Sequence, residues 1–146
     1  MKITYKSDYA LKTVLELALA YGREVVSSHD LADRIDAPVK FLEQVLTDLK
    51  KGGFVKSRRG KAGGYLLARM PREITVGEIV RLIEGPIEPI ACVGACYTEC
   101  GDMRTCVFRG IWQEVARVTA DVVDNVTFEE LVSRVGSRSK VLMYSI

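Results

Sequence analysis

The stretch PVKFLEQVLTDLKKGGFVKSRRGKAGGYLLAR, residues 38–69, restricts the fold more than any other part of the chain. Pro38 suits the start of a helix, Phe41, Leu42, Val45, Leu46 and Leu49 fall on one helical face, and Gly52-Gly53 closes it. Lys40, Glu43, Gln44, Thr47, Lys50 and Lys51 are left to face outward. Beyond the glycines, FVKSRR and GGYLLAR read as two short strands around GKAGG, whose glycines permit a tightly turned hairpin tip. An amphipathic helix that runs straight into a basic hairpin must share a core with whatever precedes it.

What precedes it is helical. Residues 7–21 carry Leu11, Val14, Leu15 and Ala18 at spacings of three and four, with Gly22 as a stop. Ser27 with Asp30 three residues on reads as an N-cap opening a short helix through Ile35, and Asp36-Ala37 makes the turn into the helix after Pro38. Helix, short helix, turn, helix, basic hairpin is the order of a winged helix-turn-helix. Its shape suits DNA: one exposed helix fits the major groove, and a cationic hairpin reaches phosphates or the adjacent minor groove.

The charge distribution agrees. Residues 1–72 hold 14 Lys or Arg against 8 Asp or Glu, whereas residues 73–146 hold 7 against 11. Between Leu49 and Arg72 there are eight basic residues and no acidic one, a local field suited to a polyanion. The expected division is therefore a DNA-binding domain over 1–72 and a helical dimerisation region over 73–146, in a mainly α fold. In the second part, ITVGEIVRLIEGP predicts a helix from about Thr75 to Glu84, and a long helix is expected from about Arg104 to Asp124. The long helix spreads Ile111, Trp112, Val115, Ala116, Val118 and Val122 over a wide apolar face, which predicts a homodimer. Thr127 and Glu130 form a capping-box pattern before FEELVSRV, and the tail GSRSKVLMYSI is expected to be irregular or a short strand.

All four cysteines lie within CVGACYTECGDMRTC, residues 92–106. A disulfide knot, a metal or iron-sulfur site and a thiol switch are the open readings. At 146 residues the chain needs no staple for size. The N-terminus carries charges at Lys2, Lys6, Asp8 and Lys12 and lacks the apolar core of a signal peptide. Since no apolar run reaches the roughly 18 residues of a membrane span, a cytoplasmic protein with unpaired or metal-bound thiols is expected. Thiolates are soft ligands for iron or zinc. The spacing Cys92-x3-Cys96-x3-Cys100-x5-Cys106 contains no Cys-x2-Cys pair, so it matches neither a zinc knuckle nor a ferredoxin.

Several segments together resemble a family: Met1-Lys2-Ile3-Thr4 with Tyr9-Ala10-Leu11, then FLEQVLTDLKKGGFVKSRRGKAGGYLLAR, ITVGEIVRLIEGPI, the cysteines and TFEELV. The family is that of the bacterial winged-helix regulators that include the iron-sulfur cluster regulator, the nitric-oxide-sensing repressor and the cysteine-metabolism repressor. The resemblance covers essentially the whole chain. It implies a homodimer on palindromic promoter DNA, with 39–51 as recognition helix and 58–64 as wing. Lys40, Glu43 and Gln44 would then meet base edges: Gln44 suits adenine, Glu43 cytosine, and Lys40 guanine or phosphate. Arg58, Arg59 and Lys61 would hold the wing on the duplex.

Cluster-binding relatives use three cysteines, and Cys92, Cys100 and Cys106 resemble that trio with two extra residues in the first interval. An iron-sulfur cluster, [2Fe-2S] or [4Fe-4S], is the implied cofactor, with zinc as the alternative. Cys96 is surplus to the trio. Where the iron-sulfur cluster regulator places a histidine ligand, three residues after Cys106, this chain has Arg109, which stays protonated and cannot ligate. Cys96, or Asp8 across the dimer as in the nitric-oxide-sensing relatives, is the expected fourth ligand. The sole histidine, His29, reads as a solvated residue.

The ending VLMYSI resembles that of the cysteine-metabolism repressor, so Ile146 could anchor a cysteine synthase, or the tail could pack as a strand on the dimer. Two rival functions follow: a zinc- or thiol-dependent repressor of sulfur metabolism, and a dimeric interaction protein that does not touch DNA. The second leaves the acid-free wing unexplained. An enzyme is not expected, because no carboxylate cluster surrounds a recognisable nucleophile or His29.

Overall fold

The computed structural model describes residues 2–145. Met1 and Ile146, which carried part of the resemblance and the proposed C-terminal anchor, lie outside the described residues. In order, the chain forms α1 (Tyr5–Leu19), α2 (Ser28–Ile35), α3 (Val39–Lys51), β1 (Val55–Arg58), β2 (Gly64–Leu67), α4 (Val76–Glu84), α5 (Arg109–Asp124) and α6 (Phe128–Tyr144). Short 3-10 turns lie at Pro71–Glu73 and Ala91–Val93.

Local signals place most of these ends. Thr4 caps α1, its hydroxyl accepting from the Ser7 N–H, so the helix starts before the expected Ser7. Ser27 caps α2 through the Asp30 N–H at 3.1 Å, as its spacing predicts. Between α2 and α3, Asp36 takes the left-handed conformation (φ 52°), and the Ala37 N–H returns to the Ala32 carbonyl at 3.0 Å. Asp tolerates that conformation better than most residues, so the helix-turn-helix corner is built from its own sequence.

β1 and β2 pair antiparallel, Val55 opposite Leu67 and Arg58 opposite Gly64. Tyr65 also exchanges backbone hydrogen bonds with Val26 (3.0 and 2.8 Å), which fixes the hairpin to the segment joining α1 and α2. Gly64 permits that approach: a Cβ there would sit 2.5 Å from the Val26 carbonyl oxygen.

One core joins α1 through α4, the hairpin and the start of α6. Leu42, Val45, Leu46 and Leu49 of α3 are buried with Ala10, Val14 and Leu17 of α1, Leu31 of α2 and Val55 and Leu67 of the hairpin. Ile74 and Ile79 from around α4, and Phe128 at the start of α6, complete it. Phe41 is half-buried and stacks edge-on against Tyr9, ring centres 5.5 Å apart.

Two expectations need correction. The long helix begins at Arg109, not near Arg104: residues 101–105 form a separate turn, closed by the Thr105 and Cys106 N–H groups on the Asp102 carbonyl (3.0 and 2.8 Å), which ends at Cys106 before α5 starts. The tail is neither irregular nor a strand: α6 continues through Gly136 to Tyr144. A mid-helix glycine costs about 1 kcal/mol. Here it is followed by Arg138, Lys140, Leu142 and Met143, which are good helix formers, with no proline to stop propagation. The capping-box pattern at Thr127 is half realised: its hydroxyl accepts from the Glu130 N–H, but the Glu130 carboxylate pairs with Arg134.

Candidate nucleic-acid interface and cysteine loop

The buried stripe of α3 leaves Lys40, Glu43, Gln44 and Thr47 on the opposite, exposed face. No acidic residue lies in its first turn, and the N-cap, Pro38, makes no side-chain bond to the leading N–H groups. At the other end Lys50 Nζ donates to Ser57 Oγ of β1 at 2.8 Å, tying the helix to the hairpin. The wing follows at once, with Arg58, Arg59 and Lys61 all exposed. Its tip turns at Gly60 (φ 112°), a conformation that favours glycine, and the Gly63 N–H closes onto the Gly60 carbonyl at 3.0 Å.

Folding edits the acid-free stretch. Arg69 lies 5.3 Å from the Phe54 ring centre, pairs with Glu78 of α4 at 3.1 Å and donates to the Glu73 carbonyl, so it is a structural cation. Arg23, from the turn after α1, lines one cleft with Lys56 and Arg58, together with Glu24, whose carboxylate is paired with Arg34 at 3.1 Å. Sequence reasoning missed Arg23 and the Lys50–Ser57 bridge; only the folded hairpin brings these groups together, and no local pattern signals it.

The cysteine loop has a different character. Cys92 and Cys106 are half-buried, Cys96 and Cys100 are exposed, and all four are free thiols. No described residue from Thr98 to Cys100 lies in a helix, strand or turn. Arg109, at the head of α5, donates from Nε to the Cys92 carbonyl at 3.3 Å and so bridges the two ends of the loop. As a donor set, four free thiols in one loop suit a soft metal or a cluster. Among the described residues, however, no three His, Cys, Asp or Glu side chains converge as a metal site. Asp8 lies on α1 and is paired with Lys12 at 2.6 Å. His29 is exposed on α2.

A family model described as "Iron-dependent Transcriptional regulator", that of Rrf2, matches residues 3–134. The chain belongs to the Rrf2 family. An Rrf2-like HTH-type transcriptional regulator of Rhodobacter capsulatus is 37% identical over 96% of this chain and 98% of its own length. The HTH-type transcriptional regulator CymR of Bacillus subtilis is 33% identical over the full length of both chains. Its solved structure, titled as that of the global cysteine regulator, superposes with a TM-score of 0.77 over 92% of this chain and 98% of that one. The structure of T. potens IscR gives 0.75 at 31% identity, covering 92% of this chain and 88% of that one. An Rrf2 regulator is a dimeric winged-helix DNA-binding protein and not an enzyme, so the exposed edge of α3 and the wing form the candidate interface. No helix among the described residues is long and apolar enough to cross a membrane.

Proposed function

We propose that this chain is a cytoplasmic homodimeric regulator of palindromic promoter DNA whose operator affinity is set by an iron-sulfur cluster held in the cysteine loop. The observation that carries the DNA half is the continuity of α3's exposed polar edge with an acid-free wing. Residues 1–72 read the operator: Lys40, Glu43 and Gln44 at base edges, Arg58, Arg59 and Lys61 on the backbone. Residues 73–146 supply the dimer seam and the sensor. Cys92, Cys100 and Cys106 hold the cluster, with Cys96 or the partner subunit's Asp8 as fourth ligand. When bound, the cluster supplies a redox- and nitric-oxide-sensitive centre. Four free thiols in one loop and the family model's description as iron-dependent support this assignment.

Anaerobic purification with absorption spectroscopy and iron and sulfide analysis tests the cofactor. Colour with matched iron and sulfide is expected, whereas a colourless zinc-loaded protein would overturn it. Operator affinity should fall steeply between low and moderate salt, because phosphate neutralisation releases counterions.

The full-length similarity to B. subtilis CymR favours a second reading, a zinc- or thiol-dependent repressor of sulfur metabolism that binds cysteine synthase through its C-terminus. The last turns of α6 leave Val141, Leu142, Met143 and Tyr144 largely exposed for such a partner. A pull-down of cysteine synthase with and without the final residue separates the two.

A further inference from the structure

Glu84 closes α4 immediately before the chain turns into the segment that leads to Cys92. One of its carboxylate oxygens, Oε1, accepts the Thr4 N–H at 3.0 Å and also the hydroxyls of Thr4 and Ser7. Ser7 is fully buried, so its hydroxyl has no solvent alternative to this partner. These donors belong to the first turn of α1. The neighbouring Lys6 reaches the other way, to Asp48 of α3 at 2.6 Å. Leu82, two residues before Glu84, packs over the C-terminal end of α3, so closely that a Cβ at Gly52 would lie 2.8 Å from its methyl groups.

The root of the cysteine loop is therefore fastened to the start of α1 by three hydrogen bonds on one oxygen, and the start of α1 is fastened to α3 by an ion pair. Movement of the loop that displaces Glu84 must either break those bonds or carry α1 with it. We propose that Glu84 is the positioning residue through which the cysteine loop and the DNA-reading helix respond to each other. Only the assignment of α3 as the DNA-contacting helix is taken from the proposed function; the coupling does not depend on what the cysteines hold.

Coupling is reciprocal: if the loop changes operator affinity, operator DNA must change the loop. The test uses full-length, metal-free protein and a duplex selected from a random-sequence pool. Alkylation of each cysteine by N-ethylmaleimide is followed by mass spectrometry with and without saturating duplex, and affinity is measured by fluorescence anisotropy. In the wild type, DNA is expected to change the Cys92 rate by about fivefold or more, the low end of site-to-site couplings. Glu84→Gln should reduce that change below about twofold while leaving affinity within about threefold, since no group facing DNA is removed.

Ser7→Ala removes one donor with little change of volume and should give an intermediate loss, so the outcome does not depend on one variant folding. A merely structural clamp would lower the melting temperature in both variants and leave the DNA-dependent change intact, which would overturn the proposal. A duplex that binds the wild type without altering alkylation also overturns it. Failure to select any duplex would defeat the DNA assignment and the coupling together, and is distinguished by the absence of binding.

Discussion

On the proposed function, single side chains of α3 and the wing carry separable tasks. Gln44→Ala should cost about 1–3 kcal/mol of operator affinity and relax selection at one base pair, because the proposed bidentate contact would be lost. Lys61→Ala should instead weaken binding to all sequences alike and lower the salt slope by about one, and anisotropy titrations over a set of single-base variants distinguish the two patterns. Gly77 makes the opposite point about propensity. Alanine is the better helix former, yet a Cβ at Gly77 would fall 1.9 Å from an oxygen of Asp124, which is held by Arg81 in a two-bond ion pair of 2.6 and 2.8 Å. Gly77→Ala should therefore lower the melting temperature, as calorimetry would show. None of this is legible before folding, because Arg81 and Asp124 lie 43 residues apart.

Among the elements, α2, with its Ser27 cap, and α3, with its buried stripe after Pro38, were readable from residues alone. Ser27 begins α2 where its spacing requires, and the four buried leucines and valines of α3 coincide with the predicted face. Errors fell where a distant or merely permissive feature decided the boundary. A separate turn at 101–105 precedes α5 and is not continued into it, and α6 passes through a glycine that only weakens it. The cysteine loop was legible as a set of donors but not as a geometry, since short loops without periodicity encode no fixed arrangement. Along α5, Ile111, Trp112, Val115, Val118 and Val122 are all exposed in the single chain, and none of its residues is buried. Such a face needs a partner helix. Val118→Glu should convert the dimer to monomer and, by removing the second half-site, abolish tight operator binding; sedimentation velocity checks the first effect.

For the molecule as a whole, the halves with opposite net charge are joined by a shared core, the Arg69–Glu78 ion pair and the Glu84 clamp. Glu84 and Asp124 both titrate below their ordinary range, Glu84 because the Ser7 and Thr4 hydroxyls and the Thr4 N–H stabilise its charged form, Asp124 because of Arg81. Depressed carboxylate values mean that this stabilisation is complete at neutral pH and is lost as pH falls through the lowered values, below about pH 4.5. Melting temperature should therefore drop as pH is lowered from 5 towards 3, and less steeply in Glu84→Gln than in the wild type. Lys12 and Arg117, whose pairing raises their already high values, stay protonated throughout that range and add no pH dependence of their own there.

The backbone seat between Tyr65 and Val26 sets how the dimer measures its target. The seat lies next to the tip-side end of the ladder, one residue from the Arg58–Gly64 pair, so the hairpin is held along its length as a stiff arm, and two stiff arms on a fixed seam act as a caliper. Inserting one base pair between operator half-sites moves them about 3.4 Å apart and about a tenth of a turn around the axis. Arms without that seat could follow; these are held, so spacing variants should lose affinity as sharply as variants of the bases themselves.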